Sequence, residues 1–190
     1  MNVLVLGGGI GGVVAANVLS RKLGREHEIV LVDRRTKHRF SPSYPWLMMG
    51  WREPHQITRN LNLLNKKGIK YINGEVLKID PANRFVKTST KDFVYDYLIV
   101  ALGAELAPET IPGFSDKAYH IYELEEAMKF REVLRNFSGG AVAVVCQAFP
   151  SSAQQRLMKP LSSWTTTSEE TEYETKLTCI FSRQKVGPWG

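Results

Sequence analysis

The sequence has few cysteines and no long apolar segment, and both shortages exclude whole classes of protein. Only two cysteines, Cys146 and Cys179, occur in 190 residues, and they lack the spacing of a metal site. We therefore expect no disulfide framework and no metal centre, and a reducing, cytoplasmic environment. No apolar run approaches the roughly eighteen residues of a membrane span, and no basic segment introduces the first apolar run as in a signal peptide.

Charge of one sign is in excess but is not concentrated. Lysine and arginine number 25 against 19 acidic residues, which leaves a formal net charge of +6. The basic residues are spread along the chain without a nucleic-acid motif, which favours a solvated basic surface and no nucleic-acid partner. Weak attraction to anionic lipid stays open as the alternative.

The first sixteen residues carry the clearest pattern in the chain. Residues 2–6 predict a strand buried on both faces of a parallel sheet, and residues 13–19 are compatible with a helix. Between them Gly7, Gly9 and Gly12 stand in G-x-G-x-x-G spacing. In that order such glycines permit a tight turn, the approach of a pyrophosphate to the backbone, and close packing of helix on strand.

A second apolar strand, predicted over residues 28–32, leads into an acidic side chain. Asp33 follows Gly12 by twenty-one residues, where a carboxylate can accept hydrogen bonds from a ribose diol. Arg34 comes next and is placed either to contact a phosphate or to be solvated. Strand, glycine turn, helix, strand and acid together predict a dinucleotide site; the alternative is a packing turn in an ordinary α/β protein.

The rest of the pattern predicts further parallel strands, an antiparallel insertion and two helices. A strand is expected at residues 69–72, a buried parallel strand at residues 97–101, and a further buried strand at residues 141–145. A three-stranded antiparallel meander is expected at residues 75–79, 85–88 and 93–95. Helices are expected at residues 56–67, where Gly68 is the stop signal, and at residues 123–137.

Residues 38–51, with the sequence HRFSPSYPWLMMGW, combine proline with large apolar side chains. Pro42 and Pro45 predict a stiff, extended loop. Such a loop can lie against the flat ring system of a ligand or can simply cover the edge of the sheet. Composition favours neither arrangement over the other.

Three motifs together resemble the N-terminal part of flavoproteins with two dinucleotide folds, in particular the sulfide:quinone oxidoreductases and type II NADH dehydrogenases. The motifs are the glycine turn with Asp33, FSPSYPW at residues 40–46, and YDYLIVALGA at residues 95–104 with the IPG that follows. The resemblance implies an α/β fold: a Rossmann-like FAD/NAD(P)-binding domain with a parallel sheet and a small antiparallel β-meander insertion. It further implies an FAD-binding domain over residues 1–115 and, over residues 116–145, a connecting helix and the first strand of an incomplete second dinucleotide fold.

The implied cofactor is FAD. The glycine turn would cradle its pyrophosphate, Asp33 would bind the adenosine ribose, and Pro42 and Pro45 would border the isoalloxazine. The candidate cofactor-binding residues are Gly7, Gly9, Gly12, Asp33, Arg34, Pro42, Pro45, Val76, Ala101 and Gly103. In the family, electrons pass from sulfide or NADH through the flavin to quinone.

Residues 146–190 form an anomalous tail. Twelve of its positions are serine or threonine, against eleven in all the preceding residues, so we expect the tail to pack poorly or stay disordered. Residues 150–160 are compatible, through the genetic code, with a neighbouring frame encoding PFKCPAAPYEA, which resembles the cysteine-bearing motif of the family at this point. We therefore hypothesise a frameshift after about Val145, which the coding DNA beneath residues 151–159 would test.

Three functions follow from these features. The favoured one is the FAD-binding part of an oxidoreductase with little turnover alone, because Tyr122 stands where sulfide-oxidising members carry a cysteine. We accordingly assign no catalytic residue. The alternatives are a non-catalytic module that binds FAD or NAD(P), and a short but complete flavin enzyme that works as an oligomer. We also expect self-association through apolar surface on residues 40–51 and on the helix at 123–137, and contact with quinone at the cytoplasmic membrane as an alternative to a freely cytoplasmic chain.

Overall fold

Four parallel strands form the main sheet of the first of two units. The computed structural model describes residues 1–24 and 26–139, and the first unit comprises Met1–Phe40 and Thr58–Glu105. The strands, numbered along the chain, are β1 (Asn2–Leu6), β2 (Glu28–Asp33), β5 (Ile69–Asn73) and β9 (Tyr97–Val100). Their order is β5-β2-β1-β9. The chain therefore adds β2 and then β5 on one side of β1, and later places β9 on the other side. The carboxyl end of β1 is therefore a topological switch point, where α/β sheets bind ligands.

Both faces of β1 and β2 are buried, as the apolar runs predict. On one face Val5 and Leu31 pack with Ala16 of helix α1 (Ile10–Lys22) and with Leu61. On the other face Leu6 and Val32 pack against the antiparallel strands. The alternating side chains of each strand therefore enter two separate hydrophobic clusters.

The predicted meander is present. Strands β6 (Val76–Asp80), β7 (Phe85–Thr88) and β8 (Asp92–Val94) pair antiparallel in sequence order. Val86 and Phe93 supply its buried face. The mixed arrangement confirms the predicted α/β fold class.

The predicted burial of β9 is wrong. Tyr97 and Val100 are 59% and 58% exposed. Among the described residues β9 pairs with β1 alone and stands at the edge of the sheet, so one long side of the strand has no neighbour. Its parallel direction, however, is as predicted.

The single helix predicted over residues 56–67 is also wrong. Helix α3 (Pro54–Ile57) gives way to strand β4 (Thr58–Asn60), which pairs antiparallel with β3 (Lys37–Arg39). A 3₁₀-helix, Leu61–Lys67, follows, and the Asn60 side chain caps it by accepting from the N–H of Asn62 at 2.8 Å. Leu61 and Leu64 are both buried because a spacing of three places side chains on one face of a 3₁₀-helix.

The second unit comprises Ser41–Ile57 and the part of the chain from Leu106 onward. Its helices are α2 (Tyr44–Met48), α3, α4 (Phe114–Lys117) and α5 (Leu124–Arg135), with short 3₁₀ turns at Ser41–Ser43 and Pro108–Thr110. Tyr44 and Leu47 pack with Ala127, and Met48 packs with Phe130. Contacts between α2 and α5 therefore form the core of the described part of this unit.

The extended, exposed loop predicted for residues 38–51 is thus wrong over most of its length. Pro42 lies in the 3₁₀ turn, and Pro45 lies in the first turn of α2, where the missing N–H of proline has no helical partner to lose. Leu47 is fully buried, and of the large apolar side chains in this segment only the flanking Phe40 and Trp51 are substantially exposed, at 44% and 56%.

An ion pair joins α5 to the segment before α3. The Arg131 guanidinium donates from Nη2 to Oε1 of Glu53 at 2.6 Å and from Nη1 to Oε2 at 3.1 Å. The Arg131 side chain is 12% exposed and that of Glu53 is 47% exposed. This bidentate hydrogen bonding lowers the pKa of the Glu53 carboxyl.

Several predictions concern residues outside the described part of the chain. They are the strand over residues 141–145, the poor packing of the tail, and the expectation that Cys146 and Cys179 form neither a disulfide framework nor a metal site. The three-part division of the chain therefore stays a prediction. Within residues 1–24 and 26–139, no helix is long and apolar enough to cross a membrane.

Candidate functional site: the glycine turn at the end of β1

The glycine turn leads directly from β1 into α1. Gly7 adopts a φ of +104°, and its N–H donates to the Val32 carbonyl at 2.8 Å. A Cβ on Gly7 would lie 2.2 Å from the Ala101 carbonyl oxygen, and one on Gly12 would lie 1.8 Å from the Gly7 carbonyl oxygen. Packing within the protein therefore requires glycine at both positions.

Gly9 differs from these two glycines. It is the N-cap of α1 in an extended conformation, and a Cβ added to it would meet nothing within 4 Å. No packing contact among the described residues explains why the turn has glycine here. Open space in front of a backbone is what the close approach of a ligand needs.

The N-terminus of α1 carries no negative charge of its own. Gly9 provides no side-chain cap, and the first turn of the helix contains no acidic residue. The partial positive charge of the helix end and its uncapped N–H groups can therefore act on an anion. This end lies at the switch point beside β1.

Asp33, at the end of β2, reaches the glycine turn. Its Oδ2 accepts from the Gly8 N–H at 2.5 Å, and its Oδ1 accepts from the Arg35 N–H at 2.6 Å. Each carboxylate oxygen keeps a second lone pair with which to accept from another donor, such as a hydroxyl. The structure thus brings the predicted acid to the predicted turn.

Two side chains hold the backbone that follows Asp33. The Tyr71 hydroxyl donates to the Arg35 carbonyl at 2.9 Å, and burial raises the pKa of this hydroxyl. The Asn73 amide donates to the carbonyls of Asp33 and Arg34, at 3.0 Å each. These contacts fix the direction in which the Asp33 carboxylate leaves β2.

Arg34 lies on the surface. Its Nη1 is 3.4 Å from Oε1 of Glu75, and the two side chains are 61% and 55% exposed. Such an exposed pair contributes little to stability and leaves the arginine able to move to another anion.

The second motif lies next to the first through the pairing of β1 with β9. Ala101 follows β9, and its N–H donates to the Leu6 carbonyl at 2.7 Å. A Cβ on Gly103 would meet nothing within 4 Å. Val76, at the start of β6, is half-buried against the cluster that contains Leu6.

Pro42 and Pro45 belong to the second unit, and Pro45 is fully buried there. The cofactor roles of all ten candidate residues stay predictions. Among the described residues, no group of three or more His, Cys, Asp or Glu side chains could hold a metal ion.

Sequence reasoning missed one residue of the site, His38. It lies in β3, and its ring Nδ1 is 2.9 Å from the Gly8 carbonyl oxygen. The signal that could have found it is weak: a wholly polar three-residue strand, KHR, shortly after the acid.

The sheet, the switch point, the glycine turn and Asp33 define a dinucleotide-binding α/β protein. A family model for the pyridine nucleotide-disulphide oxidoreductases matches residues 1–147, and the chain belongs to this family. Members of the family are FAD-binding flavoproteins.

The first three quarters of the chain are similar to quinone-linked flavoproteins. The sulfide-quinone reductase of Aquifex aeolicus is 35% identical over 151 residues, which cover 78% of this chain and 35% of the relative. The mitochondrial sulfide:quinone oxidoreductase of Mus musculus is 30% identical over 144 residues, which cover 73% of this chain and 32% of the relative. The chain therefore spans about a third of the length of these relatives.

Solved structures support the same fold. The Aquifex aeolicus sulfide:quinone oxidoreductase matches with a TM-score of 0.66 at 31% identity, over 76% of this chain and 36% of that one. A NAD-dependent persulfide reductase from A. fulgidus matches with a TM-score of 0.65 at 25% identity, over 83% of this chain and 32% of that one. The predicted Rossmann-like class is confirmed.

Proposed function

We propose that the first unit binds FAD, with the pyrophosphate over the glycine turn and the adenosine ribose on Asp33. The observation that carries this proposal is the contrast among the glycines. Gly7 and Gly12 are required by neighbouring backbone atoms, whereas Gly9 faces open space above the N-terminus of α1. A diphosphate bound close to the backbone would explain the glycine at this position, because a side chain there would block its approach.

The remaining assignments rest on the family resemblance. Val76 would lie near the adenine, Ala101 and Gly103 would pass close to the cofactor, and Arg34 would be free to approach a phosphate. Pro42 and Pro45 would border the isoalloxazine. Residues 1–115 would then constitute the FAD-binding domain.

We further propose that the chain serves an oxidoreductase with a quinone acceptor. Its relatives are named as reductases of quinones, with sulfide or NAD(P)H as donors. The bound flavin would supply the redox chemistry, accepting electrons from the donor and passing them on. The chain's own residues bind and orient it. The described part contains no cysteine and Tyr122 precedes α5, so we assign the thiol step of sulfide oxidation to none of the described residues.

Contact with a membrane surface follows from the proposed acceptor, because quinones with long isoprenoid tails reside in the bilayer. The net charge of +6 favours attraction to anionic lipid. Co-sedimentation with vesicles of anionic and of neutral lipid measures this attraction; equal recovery from both would contradict it.

A second candidate function, a non-catalytic module for NAD(P) or FAD, is favoured by one observation. The turn and Asp33 can contact only a diphosphate and a ribose, and both groups are present in FAD and in NAD. A carboxylate at Asp33 suits a free 2′-hydroxyl, and hence NAD over NADP.

Titration of the purified chain with FAD, followed by quenching of flavin fluorescence, tests the proposal. Saturable binding is expected for the wild type and for Gly11→Ala, whose new methyl would make only an ordinary 3.8 Å contact with Ala101. Gly9→Val should fold normally yet lose binding. Binding by Gly9→Val equal to that of the wild type would overturn the proposed site.

The two candidate functions are distinguished by which dinucleotide the chain binds. Saturable binding of FAD would support the FAD-binding part of an oxidoreductase, bleaching of the bound flavin band by NADH or sulfide would further establish turnover, and saturable binding of NAD without FAD would establish the module. Binding of neither dinucleotide would reject both.

A further inference from the structure

The peptide units on either side of Gly8 are held by side chains that come from two different strands. Asp33 at the end of β2 accepts from the Gly8 N–H at 2.5 Å. His38 in β3 lies against the Gly8 carbonyl oxygen, with its Nδ1 at 2.9 Å. Gly8 stands between Gly7 and Gly9, so these two contacts act on the middle of the turn.

The direction of the His38 hydrogen bond follows from chemistry. A carbonyl oxygen can only accept, so Nδ1 must carry the proton. In the neutral ring this fixes the Nδ1–H tautomer and leaves Nε2 as an acceptor. β3 itself is held in place by antiparallel pairing with β4, in which His38 is opposite Arg59.

We propose that His38 is a positioning residue for the FAD site, which it serves by donating from Nδ1 to the Gly8 carbonyl. This proposal rests on the proposed function. The bond keeps the Gly8 carbonyl turned toward β3, which leaves the backbone at Gly9 facing the open space above α1. Without it, the turn populates other conformations, and the apparent affinity falls by the fraction of competent molecules.

Three substitutions of His38 distinguish the effect of losing the hydrogen bond from the effect of losing the volume of the ring. His38→Asn places an amide N–H near the position of Nδ1, whereas His38→Gln places one near that of Nε2, and His38→Ala removes both. We expect the dissociation constant for FAD to rise about fivefold in His38→Ala and His38→Gln, as the loss of one net hydrogen bond predicts. His38→Asn should restore an affinity close to that of the wild type. Equal affinities for FAD in the wild type and the three variants would overturn the proposal. So would an affinity of His38→Asn as low as that of His38→Ala.

A readout without flavin separates this proposal from the proposed function. Two-dimensional ¹⁵N NMR of the imidazole at alkaline pH should show His38 with a protonated Nδ1 and an unprotonated Nε2. In His38→Ala the Gly8 amide should exchange its hydrogen faster than in the wild type and in His38→Asn. A His38 ring protonated at Nε2 alone would contradict the contact, whatever the chain binds. If the wild type failed to bind FAD, the FAD site and the positioning role of His38 in it would both be rejected, and a protonated Nδ1 would then establish only a structural hydrogen bond.

Discussion

Gly12→Ala is the substitution whose consequence the structure specifies most fully. The added methyl would lie 1.8 Å from the Gly7 carbonyl oxygen and 3.0 Å from its carbon, while an ordinary contact begins at 3.4 Å. Relief therefore needs a displacement of about 1.6 Å between α1 and the turn. Because both clashing atoms belong to the backbone, no side-chain rotation can provide it.

Such a displacement disturbs the core beneath α1. Ala16, one turn further along the helix, is fully buried against Val5 and Leu31. Overpacking of a close-packed site costs typically about 1–3 kcal/mol, and a clash between backbone segments belongs at or above the top of that range. We expect Gly12→Ala to lower the free energy of unfolding by about 3 kcal/mol.

Urea unfolding followed by far-UV circular dichroism measures this loss, and Gly11→Ala is the matched control. Gly11 lies on the same turn of α1, but its methyl would meet only the Ala101 Cβ at 3.8 Å. Replacing a helical glycine by alanine there should raise stability by roughly 0.5 kcal/mol. Equal unfolding midpoints for the two variants would show that Gly12 is not closely packed against the Gly7 backbone.

Two further predictions concern the second unit and the open edge of the sheet. Glu53→Gln should destabilise the protein at neutral pH because it removes the charge from the bidentate pair with Arg131. The folded pKa of Glu53 is lowered, so the pair's contribution is complete above the ordinary value of 4.5 and is lost as the pH falls through the folded value. The difference in unfolding free energy between Glu53→Gln and the wild type should therefore shrink on acidification; a difference independent of pH would contradict it. Tyr97 is 59% exposed on β9, an edge strand among the described residues, so Tyr97→Lys should weaken any self-association that this edge adds to that expected of residues 40–51 and the helix at 123–137, and should shift the chain toward monomer in size-exclusion chromatography. A wild type that elutes as a sharp monomer at low salt would contradict this expectation.

The parallel sheet and the glycine turn could be predicted from sequence because their signals are local and repeated. Strands β1 and β2 each contain an uninterrupted apolar run, and the three glycines stand at fixed offsets from β1 and Asp33. The meander is visible for the same reason, since polar turn residues separate its short strands. The contact between Asp33 and the turn follows from the parallel pairing of β1 with β2.

The errors occur where neighbours decide the outcome. Strands β3 and β4, with sequences KHR and TRN, carry no apolar alternation, so neither their pairing nor the contact of His38 with Gly8 has a local signal. Pro45 favours a loop when the sequence alone is considered, although proline equally suits the first turn of a helix. The sequence YLIV is compatible with both a central strand and an edge strand. Only the order of strands in the sheet leaves β9 exposed at the edge.

In the proposed site the glycine turn and Asp33 recognise the diphosphate and ribose of FAD. FMN has the same isoalloxazine and ribityl chain but lacks the adenosine and the second phosphate. Parallel titrations of the wild-type chain with FAD and with FMN therefore isolate this recognition. Saturable binding of FAD with at least a hundredfold weaker binding of FMN is the predicted result, on the order of 3 kcal/mol of discrimination. Equal affinity for the two flavins, or binding of neither, would contradict the account.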